Sequence, residues 1–165
     1  MWHTLTHVPV QNRPGQLYLG GYWGYAGEKS SEPFYASIQN RELNQRNVTC
    51  IISLGFETSP FAFLEGGGRT CYAYNVEDST HEDTKREMRN ILGSIADMID
   101  VHLQSGNNVY IHCHAGISRS PTAVIHYLCR HHQKKPLDAL VELLDIRSCV
   151  HPNPAFMSLL YEMHQ

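Results

Sequence analysis

The fold is decided by residues 109–122, which read VYIHCHAGISRSPT. Val109–Ile111 is a short apolar run that predicts a buried strand, and after Pro121 the apolar residues recur at helical spacing. A loop that joins a strand to a helix N-terminus directs backbone N–H groups inward and concentrates positive partial charge there. The stretch therefore predicts a strand, a loop that binds a phosphate-like anion, and a helix.

Three residues of this loop suit phosphate chemistry. Cys113 lies at its start, where the positive potential favours the thiolate, the nucleophilic form of cysteine. Arg119 can fold back over the loop and bind two phosphate oxygens through its planar guanidinium, and Gly116 lets the backbone curl. If Cys113 were only an inert core cysteine, Gly116, Arg119 and Ser120 would have no explanation.

The longer pattern at residues 112–120, His-Cys-x-x-Gly-x-x-Arg-Ser, resembles the signature of the cysteine-dependent protein tyrosine phosphatases. Its segment Ala-Gly-Ile-Ser-Arg-Ser is similar to their dual-specificity branch. The resemblance implies that Cys113 attacks phosphorus, that Ser120 hydrogen-bonds the sulfur, and that His112 braces the loop rather than acting as a base. It also implies which residues bind the phosphate: His114, Ala115, Gly116, Ile117, Ser118 and Arg119.

An acidic segment, EDSTHED at residues 77–83, precedes a long helical pattern. Acids at this density ordinarily form a solvated loop that complements a helix dipole. The segment also resembles the general-acid loop of the same phosphatases, and Asp78 is the position that matches. Glu82 and Asp83 lie too near the start of the following helix to be the first choice.

The remaining pattern predicts an α/β fold with a central mixed, mostly parallel sheet of four or five strands flanked by helices, as in protein tyrosine phosphatases. Besides the strand in the opening stretch, strands are predicted at Leu17–Leu19, Val48–Leu54 and Cys71–Val76. Besides the helix after Pro121, helices are predicted at 33–46, from a capping box of Thr84 and Glu87 to Gly106, from Pro136 and from Pro154. The expected inner faces comprise Phe34, Ile38 and Leu43 in the first helix and Leu137, Leu140, Val141, Leu144 and Ile146 in the helix from Pro136.

The closing segment, RSCVHPNPAF at residues 147–156, resembles the end of the same domain, most of all in mitogen-activated-kinase phosphatases. Asn153 is predicted to cap the last helix, with Pro154 at its first position. Two interpretations of Arg147 stay open. It can complement the dipole at the end of the preceding helix, or, since the resemblance places it near the mouth of the pocket, bind a second phosphate of a doubly phosphorylated peptide.

Length and composition favour one domain over residues 1–165, with 42% hydrophobic and 18% charged residues, and the resemblance implies that it is the phosphatase catalytic domain. The net charge of −3 argues against a general nucleic-acid or membrane-surface binder, so neither partner is expected. Cysteines and histidines are scattered, so no metal or cofactor is expected. Spacing leaves open a reversible disulfide from Cys113 to Cys50 or Cys71. A cytoplasmic protein that can also be nuclear is expected, because no leader pattern is seen.

The expected function is hydrolysis of phosphate monoesters on phosphotyrosine and on phosphoserine or phosphothreonine, through a cysteinyl-phosphate. The partner would be a phosphoprotein, with protein kinases among the candidates, and the oligomeric state is not predicted. One alternative is the same chemistry on a phosphoinositide or an RNA 5′ end, which the absence of Lys and Arg at the variable loop positions disfavours. The other is an inactive phosphate-binding scaffold, which the retention of Cys113, Asp78, Arg119 and Ser120 disfavours.

Overall fold

The computed structural model describes residues 4–23, 32–62, 64 and 68–165. Within these ranges the strands are β1 Thr6–Val8, β2 Leu17–Gly20, β3 Val48–Leu54, β4 Thr70–Tyr74 and β5 Asn108–His112. The helices are α1 Glu32–Gln45, α2 Glu82–Gln104, α3 Arg119–His132, α4 Pro136–Ile146 and α5 Pro154–Met163. None of these helices has the length and apolar character that crossing a bilayer requires.

The strands form one mixed sheet in the order β1-β2-β5-β3-β4. β1 is antiparallel to β2, and every other neighbouring pair is parallel. The predicted α/β fold with a mixed, mostly parallel sheet is therefore confirmed. Parallel strands bring their carboxyl ends to one edge, and the loop that follows β5 lies at this edge, as ligand loops of α/β proteins do.

Helices cover both faces of the sheet. Since side chains alternate along a strand, Val109 and Ile111 of β5 enter the larger core with α2, α3 and α5, whereas Tyr110 enters a smaller core. That smaller core also contains Leu43 of α1 and Ile51 of β3. β5 is thus buried on both faces, and this burial fixes the position of the loop after it.

The start of α2 differs from the prediction. The helix begins at Glu82, and the residue before it makes no side-chain cap, so Thr84 does not form a capping box. Thr84 is buried, and its hydroxyl lies 2.6 Å from Ser79 Oγ, to which it is hydrogen-bonded. The predicted end is confirmed, because Gly106 follows the helix with φ of +85°.

The inner faces of two helices also differ from the prediction. In α1 the predicted Leu43 is buried, but Phe34 is 65% exposed, and the other buried residues are Ala36, Gln39 and Asn40. Gln39 lies inside because it bonds the Trp23 N–H and the Gly21 carbonyl. In α4 the predicted Leu140 packs against the core, but Leu137, Val141, Leu144 and Ile146 are exposed, and the buried residues are Pro136, Ala139 and Leu143.

A buried ion pair ties the N-terminal segment to α2. Arg13 Nε lies 2.7 Å from Asp100 Oδ1, and the Tyr127 hydroxyl donates to the same oxygen at 2.8 Å. Burial opposes ionisation of Asp100, but the hydrogen bonds from Arg13 and Tyr127 outweigh it and hold the pKa of this carboxyl below its ordinary value. A carboxyl of this kind stabilises the fold above its unfolded pKa, and the contribution is lost as the pH falls through the folded pKa.

Arg13→Ala is expected to lower the free energy of unfolding at pH 7 by about 2–3 kcal/mol, because it removes the guanidinium that is bonded to the buried Asp100 carboxylate. The matched control is Arg130→Ala. It breaks a pair with Asp97 whose side chains are 47% and 50% exposed, so its loss should stay below about 1 kcal/mol. Urea unfolding measures both, and the Arg13 effect should shrink below about pH 4. Equal losses in the two variants would contradict this account.

Candidate active site

The thiol of Cys113 lies at the centre of the loop between β5 and α3. Cys113 is 2% exposed, and its Sγ accepts a hydrogen bond from the Gly116 N–H at 3.2 Å. Ser120 Oγ is also 3.2 Å from this sulfur, as the resemblance implied. Gly116 has φ of +67°, and a Cβ there would lie 2.5 Å from Arg147 Nη2 and 2.6 Å from the Gly20 backbone. Only glycine fits this position of the loop.

The carbonyls of six successive loop residues, 113–118, are all bound by the surrounding protein. Their partners are His112 Nδ1, Tyr22 N, Arg147, His151 N, Thr122 N and Thr122 Oγ1. In a planar trans peptide the N–H points opposite to the carbonyl. The amides of residues 114–119 are therefore directed away from these partners, and that of Gly116 already points at the thiol. This is an arrangement that suits an anion.

Arg119 is the cation of this loop. Its Nη1 donates to the Val76 carbonyl at 3.1 Å, which ties the guanidinium to the end of the β4 segment. Its Nε is buried and has no hydrogen-bond acceptor within the described part of the chain. A buried donor without an acceptor is costly unless a ligand supplies one, and a phosphate oxygen is a suitable acceptor. Gly55, with φ of +91°, leaves room for this guanidinium, since a Cβ there would lie 2.2 Å from Nη1.

His112 supports the loop through a hydrogen bond to its first carbonyl, that of Cys113. Burial lowers its pKa to about 3, so the ring is neutral. Its Nδ1 lies 2.9 Å from the Cys113 carbonyl, which can only accept, so Nδ1 carries the proton. Nε2 then accepts from the Ser53 hydroxyl at 2.6 Å, and that hydroxyl is 2.9 Å from Ser59 Oγ. Ser53 and Ser59 were not predicted as site residues. The signal that could have indicated Ser53 is a serine in the largely apolar strand β3.

His114, at a variable position of the loop, adds no charge to it. Its ring stacks on Phe56 with centroids 4.4 Å apart, and its Nε2 is 3.1 Å from the Gly55 carbonyl. Burial, and then the neighbouring charge of Arg119, lower the pKa of His114. The imidazole therefore stays neutral near pH 7, and Arg119 provides the positive side-chain charge of residues 113–120.

The acidic segment places Asp78 next to this loop. Asp78 is exposed, and its Oδ1 accepts a hydrogen bond from Asn153 Nδ2 at 2.8 Å. The predicted cap is confirmed, since Asn153 Oδ1 accepts from the Phe156 N–H at 2.9 Å. Glu82 and Asp83 instead lie in the first turn of α2.

The comparisons with known proteins identify the family. The family profile described as "Dual specificity phosphatase, catalytic domain" matches residues 34–165, which include the acidic segment, the loop and the last two helices. The chain belongs to the dual specificity phosphatase family.

Three relatives show how close the resemblance is. The serine/threonine/tyrosine-interacting protein of Mus musculus is 39% identical over 149 residues, which cover 90% of this chain and 61% of the relative. The phosphatidylglycerophosphatase and protein-tyrosine phosphatase 1 of Homo sapiens is 42% identical over 60 residues, covering 36% of this chain and 30% of the relative. The crystal structure of DUSP15 superposes with a TM-score of 0.71 at 27% identity, covering 96% of this chain and 86% of that one.

The chain covers only part of the length of the curated relatives that it matches. It spans between 22% and 61% of the length of the curated relatives. The residues matched by the family profile are those of a catalytic domain, and they include the signature loop.

Arg147 corrects both sequence interpretations in this dual specificity phosphatase domain. It is 4% exposed and lies behind the loop, with Nε donating to the Gly116 carbonyl at 3.0 Å and Nη2 to the Ala115 carbonyl at 3.1 Å. Its Nη1 donates to the Thr4 carbonyl and to Thr6 Oγ1. The guanidinium is thus bound to the back of the loop. Arg147 closes the end of α4 through its backbone N–H, which donates to the Leu143 carbonyl, but its side chain lies behind the loop and does not reach a second phosphate. The prediction of a second phosphate site at Arg147 is wrong.

The predicted disulfide partners of Cys113 are out of reach in this domain. Cys50 pairs with Val109, four residues before Cys113, which corresponds to about 13 Å along a strand. Cys71 pairs with Ile51, one strand farther away. A disulfide requires Cα atoms within about 7 Å, so neither cysteine can bond Cys113 without a rearrangement of the sheet.

Proposed function

We propose that this domain hydrolyses phosphate monoesters on phosphotyrosine and on phosphoserine or phosphothreonine of proteins, through a cysteinyl-phosphate. The observation that carries the proposal is the surroundings of the Cys113 thiol: inward amides, the Ser120 hydroxyl and the buried Arg119 Nε, which has no acceptor among the described residues. These groups suit a phosphoryl group next to a nucleophile, and membership of the dual specificity phosphatase family supports this assignment.

In the first step the Cys113 thiolate attacks phosphorus. The S–P bond forms, the bond from phosphorus to the substrate oxygen breaks, and Asp78 gives its proton to the departing oxygen. Arg119 and the inward amides stabilise the negative charge on the three equatorial oxygens of the transferring group. The result is a cysteinyl-phosphate and the free hydroxyl of the protein substrate.

In the second step water attacks the same phosphorus. The Asp78 carboxylate takes a proton from that water, the O–P bond forms and the S–P bond breaks. Ser120 Oγ, 3.2 Å from Sγ, can donate a hydrogen bond to the leaving thiolate. Inorganic phosphate leaves, and Asp78 is protonated again for the next cycle.

A non-protein phosphate is the main alternative substrate, and one relative is named a phosphatidylglycerophosphatase as well as a protein-tyrosine phosphatase. A head group with several phosphates would favour several fixed cations near the loop. Here His114 has a lowered pKa and Arg147 is bound behind the loop by carbonyls. Within the loop, residues 113–120, Arg119 is therefore the cation that faces the substrate phosphate, which favours one phosphate group at a time.

An inactive scaffold is the second alternative, because the mouse relative is named an interacting protein. The presence of Cys113, with Ser120 at hydrogen-bond distance, favours turnover, since a module that only binds phosphate needs no nucleophile. The physiological partner is proposed to be a phosphoprotein, with protein kinases among the candidates, and the cytoplasm or nucleus is the proposed location.

A substrate panel tests the proposal. Phosphate release is measured with phosphotyrosine, phosphoserine and phosphothreonine peptides, a phosphoinositide, and an RNA 5′-triphosphate. We expect phosphopeptides to give the highest kcat/KM, because the loop offers one cation to one phosphate group. Higher kcat/KM for the lipid or the RNA would reassign the substrate, and no release from any ester would favour the scaffold.

A further inference from the structure

Asn153 connects three segments of the active site. Its backbone N–H donates to Ser118 Oγ of the loop at 2.9 Å, and its Oδ1 accepts from Phe156 N at the start of α5. Its Nδ2 donates to Asp78 Oδ1 at 2.8 Å and to the Ser79 carbonyl at 3.0 Å. One residue thus joins the phosphate loop, the last helix and the acidic segment.

The orientation of the Asn153 amide is fixed by its neighbours. The Phe156 N–H can only donate, so the amide oxygen must face α5. The NH₂ group must then face the acidic segment, where the Ser79 carbonyl can only accept. Two neighbours therefore require the same orientation, and Asp78 Oδ1 receives a donor.

A donor at Oδ1 has a chemical consequence for Asp78. In a protonated carboxyl one oxygen carries the proton and the other accepts hydrogen bonds. Because Asn153 Nδ2 donates to Oδ1, the proton is placed on Oδ2, the oxygen that remains for the substrate. The acidic segment is also held before and after Asp78, by Arg119 at the Val76 carbonyl and by Thr84 at Ser79 Oγ.

We infer that Asn153 is a positioning residue for the general acid: it holds Asp78 beside the phosphate loop and directs its proton toward the leaving group. This inference rests on the proposed function and adds a residue that aligns the proton donor of the proposed reaction. The hydrogen bond of Asn153 to the phosphate loop is made by its backbone N–H to Ser118 Oγ, and its side-chain NH₂ group acts through Asp78. Asp78 is exposed, so without Asn153 its side chain would lose a defined orientation, and misplaced proton donors are slow.

Two substitutions of Asn153, to serine and to aspartate, test its contact with Asp78 while they keep its role as a helix cap. Serine caps helices as well as asparagine does but is too short to reach Asp78, so Asn153→Ser removes the contact and keeps the cap. We expect kcat on a phosphoserine peptide to fall about 10- to 100-fold, with KM and the turnover of an activated aryl phosphate nearly unchanged. Ser158→Ala, on the exposed side of α5, is the matched control and should leave all rates unchanged.

Aspartate also caps, so Asn153→Asp places a second carboxylate beside Asp78 while the helix start is kept. A like charge disfavours ionisation of Asp78, so the alkaline limb of the kcat–pH profile should shift to higher pH. This shift reports that the side chain at position 153 lies against the proton donor, and the selective loss in Asn153→Ser reports that the contact positions it. Thermal unfolding of both variants checks that the domain is folded.

A double-mutant cycle completes the test. In an Asp78→Asn background, Asn153→Ser should have almost no further effect, because the group it positions is already gone. An equal loss in both backgrounds, or an equal loss on alkyl and aryl esters, would overturn the inference. If Asp78→Asn is selective for alkyl esters but Asn153→Ser is silent, only the inference fails. If the wild-type domain releases no phosphate, the proposed function and the inference fail together.

Discussion

Cys113→Ser is expected to lower phosphate release from a phosphotyrosine peptide by at least about 10³-fold, while the peptide still binds. A serine hydroxyl is not ionised near pH 7 and is a poor nucleophile toward phosphorus. The groups that bind the phosphate, Arg119 and the amides of residues 114–119, are unchanged by this substitution. Steady-state phosphate release and calorimetric binding of the same peptide measure the two effects separately.

Cys71→Ser is the control, since Cys71 lies on β4, away from the loop. It should leave phosphate release close to the wild-type rate. Substantial turnover by the Cys113 variant would contradict the cysteinyl-phosphate mechanism. If the Cys113 variant loses both peptide binding and turnover, the substitution damages the loop. The role of the thiol is then tested by trapping the phosphorylated cysteine in the wild-type domain.

The sequence predicts the centre of this domain well because its signals there are local. The β5 run, the loop and α3 follow each other within residues 109–132, and each has an independent pattern: burial, a glycine turn and helical spacing. The loop chemistry then follows from Cys113 and Arg119. The role of Asn153 as a helix cap is equally local, since the Phe156 N–H that donates to its side chain lies three positions away.

Sequence patterns do not predict the contacts that depend on packing between distant parts of the chain. The apolar stripe predicted for α4 included Leu140, which packs against the core, but its other members are exposed. Periodicity alone did not show that Ala139 and Leu143 would be buried, because α4 has apolar residues on more than one face. Arg147 bonds Thr4 and Gly116, residues 143 and 31 positions away, so its place behind the loop depends on the assembled fold. The contact from Asn153 to Asp78 spans 75 residues and is invisible for the same reason.

Asp78→Asn is expected to slow hydrolysis of a phosphoserine peptide about 10²- to 10⁴-fold, equivalent to about 2.7–5.4 kcal/mol in the activation barrier. An alkoxide is a poor leaving group and needs the proton that Asp78 supplies. An activated aryl phosphate departs as a stable phenolate and should be slowed far less. The substituted amide can still offer its oxygen to Asn153 Nδ2, so the acidic segment should keep its position, and the loss reports the missing proton.

The measurement that tests this is the ratio of kcat values on the two esters for the wild type and the Asp78 variant. Glu82→Gln and Asp83→Asn are the matched controls, because both acids lie in the first turn of α2, where they complement the helix dipole. They should leave the ratio unchanged. A ratio that is unchanged in Asp78→Asn, or that changes more in Asp83→Asn, would assign the proton donor to another residue. The reason is that the rate depends on the basicity of the leaving oxygen only through the group that protonates that oxygen.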